Sequence, residues 1–427
     1  MNQSIVNRDN IVVAIYATVL TAMVFISKPE MEYSMAIRLT LLCMAMLPIL
    51  ISHNYILFSF TCIYAVNSTS FCRILPSDEY YYYILIIIVF LFSKKNNVSL
   101  NRMKRAAFAL SPFYLLSLIH IDNQEFQLWW AVALLFIPFL NAKENLKLLV
   151  LSFPVASLVL SLLFLLNQAY FMFAYSGDME RSGWVNPNIF GGIIGLGIVV
   201  GMSVLLKQLR FETSFKESLL LIVCIAVSFV VVVLNASRGS FISTSLACGI
   251  LVFMSNIKKR YKGFVVVALA GFAIFLWQSG VFELLQYRLE ADTADTAGSR
   301  SLIWMEKLNT FFNEGNFIHL LIGAGGRAGA EAIGHSYGIA NMSTHNDFVT
   351  ALVGFGIICL VYYLYLLFVP FFNTPKGHDR KIMAVFMLFF LLESSVLEPM
   401  FRGYVPYVMF FTFMYCYSHY LKENPVA

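Results

Sequence analysis

The sequence predicts an all-α polytopic membrane protein, a bundle of about 12–14 transmembrane helices with one large loop on the outer side. Three observations predict this fold class. Of the 427 residues, 59% are hydrophobic and only 12% are charged, whereas soluble globular domains usually carry about 25% charged residues. The mean hydropathy is +0.75. Long apolar runs recur along the chain between short polar loops. We therefore expect a lipid bilayer around the protein, and we expect no nucleic-acid partner.

Fourteen apolar segments are long enough, or nearly so, to cross the hydrocarbon layer, which takes about 20 helical residues. The first run follows a polar N-terminus without a small-residue cleavage site, so we expect a retained span and not a signal peptide. The seven cysteines form no Cys-x-x-Cys pair and are expected to act as small hydrophobic residues. The predicted spans are 10–27, 33–52, 54–67, 79–93, 105–121, 127–141, 147–167, 188–206, 217–235, 239–255, 262–278, 347–369, 381–397 and 403–421.

The positive charges in the loops predict a cytoplasmic N-terminus, because cytoplasmic loops are enriched in lysine and arginine. With that orientation, the inner side holds 13 Lys and 6 Arg, and the outer side holds 2 Lys and 8 Arg. The outer cations are therefore nearly all arginine: Arg38, Arg73, Arg181, Arg238, Arg288, Arg300, Arg327 and Arg402.

Arginine differs from lysine because its planar, permanently charged fork matches a phosphate group with two hydrogen bonds. Its enrichment on a face where positive charge is otherwise depleted suggests an anionic ligand at the outer leaflet. The alternative is that single arginines pair with outer acids such as Glu283, Glu290 and Asp292, as isolated ion pairs commonly do.

The longest segment between predicted spans divides the chain into spans at 1–278, an outer loop at 279–346 and spans at 347–427. Within the loop, 298–315 has apolar residues at 302, 305, 308, 311 and 312, which predicts an amphipathic helix over the membrane. The stretch "GAGGRAGA" at 323–330 is expected to be flexible and able to wrap an anion with backbone amides. It lacks a preceding strand, which disfavours a nucleotide-binding loop.

Two outward features lie beside predicted spans. Arg181 precedes an Asn-Pro-Asn turn, in which Asn186 and Asn188 are candidate ligands and Asn186 is a plausible helix cap. Arg238 lies at the apex of the short loop "NASRGS" (235–240), so it must lie at membrane depth. An ionisable group there is a functional candidate by default, and the alternative is a side chain that snorkels to lipid phosphate.

Two further features lie in the outer loop. Arg300 stands near the start of the amphipathic helix, where a cation opposes the helix dipole and a bound anion would offset that cost. His345 stands in "STHND" (343–347), at the start of a span. The chain has six other histidines, and His345 differs because it lies beside Asn346 and Asp347 on the arginine-rich face.

These motifs resemble the bacterial O-antigen ligase and O-antigen polymerase family, best over roughly 180–365. The resemblance is carried by the Ser-Arg-Gly turn at 237–239, by "GSRSLIW" at 298–304, by the large outer loop and by His345-Asn346 followed by Gly356. Family ligases have Leu where this chain has Ile242, and Gly, Thr or Tyr where it has Cys359. The spacing from Arg181 to Gly192 is similar to a polymerase pattern.

The resemblance implies a GT-C-like bundle in the bacterial inner membrane with its active site facing the periplasm. It also implies a glycosyltransferase that takes a glycan from undecaprenyl diphosphate and needs no cofactor or metal. Arg238 and Arg300 would stabilise the leaving diphosphate, and His345, oriented by Asp347 or Glu398, would take the proton of the acceptor hydroxyl. The other candidate ligands are Arg73, Arg181, Arg288, Arg327, Arg402, Asn186, Asn188 and Asn346.

Several alternatives remain at this level. A polymerase transfers the glycan to a second lipid-linked repeat unit, whereas a ligase transfers it to the lipid A core. The departures at Ile242 and Cys359 favour a polymerase. A chain-length regulator is then a candidate partner. A divalent cation at Glu290 and Asp292 is a disfavoured alternative. A transporter or flippase is another, and Glu393 is the best midplane candidate for that function.

Overall fold

The computed structural model describes residues 100–119, 143–166, 187–235, 237–256, 297–334, 342–401 and 405–424, with isolated positions at 140 and within 258–278. Within these residues the secondary structure is helical and no strand occurs. Numbered along the described chain, the helices are α1 (Leu100–Ile119), α2 (Lys143–Leu166), α3 (Pro187–Leu205), α4 (Phe215–Leu234), α5 (Arg238–Met254), α6 (Ala297–Glu314), α7 (Phe317–Ile322), α8 (Gly326–Ala332), α9 (Asp347–Asn373), α10 (His378–Val396) and α11 (Val405–Glu423).

Eight predicted spans coincide with described helices to within a few residues, namely α1 to α5 and α9 to α11. Within the described ranges, three stretches are long and apolar enough to cross a membrane: Asn188–Leu205, Phe215–Leu234 and Asp347–Asn373. Leu146–Leu162 and Arg238–Met254 are shorter apolar helices. The predicted spans 10–27, 33–52, 54–67, 79–93 and 127–141 lie outside the described ranges, and 262–278 is described at isolated positions alone. The total of about 12–14 spans therefore stays a prediction.

The described helices fall into two compact units, and the first contains α2, α3 and α4. Each of these helices packs against the other two. At Gly197 of α3, a Cβ atom would lie 1.8 Å from Ser157 Oγ of α2, so a small residue is needed for this close approach. Lys147 of α2 forms a 2.9 Å ion pair with Glu217 of α4, and Glu217 also completes a capping box with Ser214.

The second unit contains α1 and α5 to α11. Its central helix is α9, which packs against α1, α6, α7, α8, α10 and α11, while α5 packs against α10. Aromatic rings fill the space between α10 and α11: the ring centroids of Phe386 and Phe410 lie 5.4 Å apart, and those of Phe390 and Phe410 lie 6.5 Å apart. This aromatic packing holds α10 against α11.

A break at Gly356 divides α9 into two pieces. Gly356 has φ 85° and ψ 176°, a conformation that side chains with a Cβ atom rarely adopt. A break of this kind leaves the carbonyls of the preceding turn without their helical donors. The amide of Ala324 donates to Val353 O at 2.9 Å, and that of Gly325 donates to Gly354 O at 3.2 Å. The segment between α7 and α8 therefore supplies hydrogen bonds that α9 loses at the break.

This contact gives the glycine-rich stretch a different role from the predicted one. Residues 323–330 end α7 and begin α8, and their backbone lies directly against α9. A Cβ atom at Gly323 would lie 2.2 Å from Gly354 O. Because the amides of Ala324 and Gly325 already donate to α9, they are not available to wrap an anion. The glycines serve close backbone packing.

The predicted amphipathic helix at 298–315 is confirmed as α6. Some of its apolar residues are packed inside the unit, and the others are exposed. Phe311 is buried and packs with Leu308 on Ala330, Val349 and Val353. Leu302, Met305 and Phe312 are 59%, 59% and 55% exposed. The apolar stripe spans about half of the helix surface, and one side of it packs against α8 and α9.

Candidate active site

Three distant parts of the chain meet at the C-terminal end of α10, residues Ser395–Glu398, which we call the α10 end. Arg300 of α6 donates from Nη1 to Val396 O at 3.3 Å. Gly239 of α5 lies so close that a Cβ atom there would be 3.0 Å from Val396 Cγ2. Asn346, before α9, donates from Nδ2 to Ser395 O at 3.1 Å. The α10 end thus gathers the predicted residue Arg300 with the immediate neighbours of Arg238 and His345.

Both arginines stand at helix starts. Arg238 is the first residue of α5, and Arg300 lies in the first turn of α6. Both side chains are half-buried. The N-terminus of a helix carries partial positive charge, so a cation there is disfavoured unless an anion lies nearby. The sequence predicts this electrostatic cost for Arg300. The same cost applies to Arg238, because the structure places it at the start of α5.

The backbone of His345 is in the left-handed region, with φ 48°. Apart from glycine, few residues adopt this conformation, although histidine tolerates it better than most. Its neighbours Thr344, Asn346 and Asp347 are buried, whereas His345 is partly exposed. Trp304 of α6 donates from Nε1 to Thr344 O at 2.6 Å. The turn is therefore held on both sides of the histidine, which itself remains accessible.

Glu398 anchors the segment that carries His345. Its buried carboxylate accepts hydrogen bonds from the hydroxyls of Ser343 at 2.7 Å and Thr350 at 2.6 Å, and also from the hydroxyl of Thr344. The sequence predicts Glu398 as a residue that orients His345. The structure places its carboxylate on the residues immediately before the histidine.

Asp347, the other residue predicted to orient His345, instead joins α9 to the residues that follow α10. Its buried carboxylate accepts hydrogen bonds from Tyr363 Oη at 2.9 Å, from Met400 N at 3.3 Å and from Phe401 N at 3.2 Å. These contacts fasten the turn after α10 to α9. Asp347 and Glu398 together join segment 343–350 to segment 398–401.

Asn346 caps α9. Its Oδ1 accepts hydrogen bonds from Phe348 N at 2.9 Å and Val349 N at 3.1 Å, and its Nδ2 donates to Ser395 O. Both ends of the side chain therefore bind within the protein. Asparagine before an apolar helix is a known capping signal, and this role explains the residue without a substrate.

Arg327 of α8 forms an ion pair with Glu331, with 3.6 Å between Nε and Oε1. This contact agrees with the alternative given above, in which a single arginine pairs with a nearby acid and not with a ligand. The acid here lies four residues along the same helix. Of the other candidates, Asn188 lies half-buried at the start of α3, in the first unit. The remaining candidates lie outside the described residues: Arg73, Arg181, Arg288, Arg402 and Asn186, together with the acids Glu290 and Asp292.

Lys307 is a residue that sequence reasoning missed. It is fully buried on α6, and its Nζ donates to Ala330 O at 2.7 Å, Glu331 O at 3.0 Å and Ile333 O at 2.8 Å. These are the last carbonyls of α8, which a cation stabilises. Burial lowers the pKa of Lys307 to about 8, against the opposite pull of Glu331 and Glu398. A lysine among the apolar residues of α6 is the sequence signal that could have indicated the buried position of Lys307.

Arg238, Arg300 and His345 thus stand on segments that meet at the α10 end, where Arg300 contacts Val396 directly and His345 is partly exposed. Guanidinium groups suit a diphosphate, and imidazole can accept a proton near neutral pH. Within the described residues, no group of three or more His, Cys, Asp or Glu side chains forms a metal-binding cluster.

Comparison with known families gives one match. Residues 220–364 match a family model described as O-antigen ligase, and this segment contains Arg238, Arg300 and His345. The predicted resemblance is confirmed over these residues, about a third of the chain. The match supports an O-antigen ligase or polymerase type of function on a lipid-linked glycan, and it does not separate the two. The search of curated proteins returns no significant match.

Proposed function

We propose that this chain, whose residues 220–364 match the O-antigen ligase family, is an O-antigen polymerase of the bacterial inner membrane. It transfers a glycan from undecaprenyl diphosphate to a hydroxyl of another lipid-linked repeat unit at the periplasmic face. The observation that supports this proposal best is the meeting of the Arg238, Arg300 and His345 segments at the α10 end.

The two arginines bind the diphosphate. As the bond between the anomeric carbon and the diphosphate oxygen breaks, negative charge builds on the leaving group. Arg238 and Arg300 stabilise that charge in a partly desolvated setting, where electrostatic contacts are stronger than in water. Arg300 keeps its place through its hydrogen bond to Val396 O.

His345 acts as the general base. The acceptor hydroxyl attacks the anomeric carbon, a new glycosidic bond forms, and the hydroxyl proton passes to the imidazole. The undecaprenyl diphosphate leaves with the bonding electrons. This single displacement inverts the anomeric configuration and needs no metal ion, because the arginines supply the positive charge. Retained activity in EDTA supports this chemistry. Activity that vanishes in EDTA and returns with manganese contradicts it.

The choice of a polymerase over a ligase rests on the sequence. It is supported by the Arg181-to-Gly192 spacing and by Ile242 and Cys359, where family ligases differ. Ile242 is 56% exposed on α5, and Cys359 is fully buried on α9. Deleting the gene separates the two functions. Lipopolysaccharide with a single repeat unit indicates a polymerase, whereas bare core with polymer left on the lipid carrier indicates a ligase.

Reconstitution tests the proposal directly. The purified protein is incubated with a lipid-diphosphate repeat unit, with and without lipid A core, and the products are separated on a gel. A ladder of lipid-linked polymer without core supports the polymerase. Product that forms only when core is present supports the ligase. Transport of the repeat unit across vesicles without any new glycosidic bond contradicts both.

A further inference from the structure

Glu393 is a buried acidic residue that the proposed reaction does not use. It lies on α10, fully buried, and accepts hydrogen bonds from the hydroxyl of Ser243 on α5 and from Tyr407 Oη on α11 at 2.9 Å. A carboxyl group inside a membrane span is costly unless it is hydrogen-bonded, and an ionisable residue there is a functional candidate by default. Three helices therefore share one polar contact within the bundle.

The contact lies beside the candidate active site. On α5, Gly239 packs against Val396, and four residues later Ser243 binds Glu393, three residues before Val396. The residue numbers rise on α5 and fall on α10, so the two helices run antiparallel here. Arg238 immediately precedes Gly239. Little more than one turn of α5 therefore separates Arg238 from Ser243, which binds Glu393.

The face of α5 that packs against α10 carries small side chains near Arg238. Its buried residues next to the arginine are Ser240, Ser243, Thr244 and Ala247, and such small side chains let helices approach closely. They offer little that would interlock with the facing helix. A slip of one helical turn would move Arg238 by about 5.4 Å, which is far enough to lose a bidentate contact. The hydrogen bond from Ser243 to Glu393 selects one register.

We propose that Glu393 is a positioning residue that holds α5 on α10 and α11 and so fixes Arg238 where it meets the lipid diphosphate. This inference rests on the proposed function, because it assumes that Arg238 binds the diphosphate. It assigns to the buried carboxyl group a role in substrate affinity, exerted through α5 and without substrate contact.

The test measures the affinity of the full-length protein in detergent for undecaprenyl diphosphate, together with its melting temperature. In Glu393→Leu both hydrogen bonds are lost, and we expect Kd to rise at least about 10-fold, as the loss of two buried hydrogen bonds would produce. In Glu393→Gln the carboxamide still accepts and donates one hydrogen bond, and we expect Kd within about 3-fold of the wild type. Tyr407→Phe and Ser243→Ala each remove one of these hydrogen bonds and change the side-chain volume little. They replace Glu393→Leu in the test if that variant does not fold.

A purely structural role predicts a different outcome. It would lower the melting temperature and the folded fraction, but the folded protein would bind with unchanged Kd. Unchanged Kd in Glu393→Leu, or in both smaller variants, overturns the positioning role.

Combining variants separates this inference from the proposed function. If Glu393 acts through Arg238, Glu393→Leu adds no further loss of affinity to Arg238→Ala, and the two effects are strongly non-additive. Additive losses overturn the inference while the proposed function stands. If Arg238→Ala binds undecaprenyl diphosphate as tightly as the wild type, the proposed role of Arg238 is wrong, and the positioning role is lost with it.

Discussion

The turn at His345 stores strain that its neighbours offset. A left-handed conformation costs a residue other than glycine about 1–2 kcal/mol, and histidine adopts it here with φ 48°. The hydrogen bonds of Trp304 and Glu398 to Thr344 hold the chain before it, and the Asn346 cap holds the chain after it. Strain of this kind often marks a functional residue.

The first prediction concerns the base. Asparagine also tolerates the left-handed region but cannot take a proton, so His345→Asn keeps the fold and loses the base. We expect transfer in the reconstituted assay to fall at least about 100-fold, the usual contribution of general base catalysis. His378→Asn, at the other end of α10, is the matched control and should transfer normally. Near-normal transfer by His345→Asn would remove the histidine from the mechanism.

The second prediction concerns the shape of the cation. Arg238→Lys keeps the charge but loses the planar fork, so we expect most of the transfer activity to be lost. Arg327→Lys is the control, because lysine can keep the ion pair with Glu331. We expect its activity to remain near that of the wild type. Equal losses in both variants would show that the loss is not specific to Arg238 and would count against diphosphate binding by its guanidinium group.

At the scale of elements, the break in α9 gives a third prediction. In Gly356→Ala the new Cβ would meet Leu321 O at 2.2 Å, and φ would stay at 85°, so we expect a clear fall in melting temperature together with loss of transfer. Gly249→Ala on α5 is the control, because nothing lies within 4 Å of its Cβ position. Alanine there should stabilise the helix by about 1 kcal/mol. Equal melting temperatures for the two variants would contradict the tight contact of α7 with α9.

The fourth prediction concerns Lys307, which ties α6 to the end of α8. Burial lowers its pKa in the folded protein to about 8, whereas an unfolded lysine titrates near about 10.4. Between these values the unfolded state binds more protons, so the free energy of unfolding rises with pH. We expect the melting temperature of the wild type to rise relative to that of Lys307→Met from pH 7 to pH 10. A difference independent of pH would show that burial does not lower the pKa of Lys307 in the folded protein.

At the scale of the whole molecule, the charge distribution predicts sidedness and gives a fifth test. In spheroplasts, a membrane-impermeant maleimide should label Met305→Cys, whose position on α6 is exposed. It should label Lys376→Cys, in the loop between α9 and α10, only after lysis. The unmodified protein is the control for labelling of native cysteines. The reverse pattern would place the α6 side in the cytoplasm and exclude a periplasmic reaction.

The sequence predicts the helices well because charged loops bound the apolar runs. Eight described helices begin and end within a few residues of the predicted spans. It could not predict that α5, α6 and the turn before α9 meet at the α10 end, because the order of motifs along a chain does not fix how helices pack. The sequence assigns Asn346 to substrate binding, although an asparagine directly before an apolar run is also a capping signal, which is the role that the structure shows. The three carbonyl partners of Lys307 come from tertiary packing alone.

The interruption of α9 has a consequence for a protein that must work in bilayers of varying thickness. A straight 27-residue helix would pass any change of tilt from its membrane half to the histidine turn. With the hydrogen-bond ladder broken at Gly356, residues 357–373 can lean to match the lipid, while the piece above is fastened to α7 and α8. The break at Gly356 thus separates the direction of residues 357–373 from that of the piece that leads to the turn at His345.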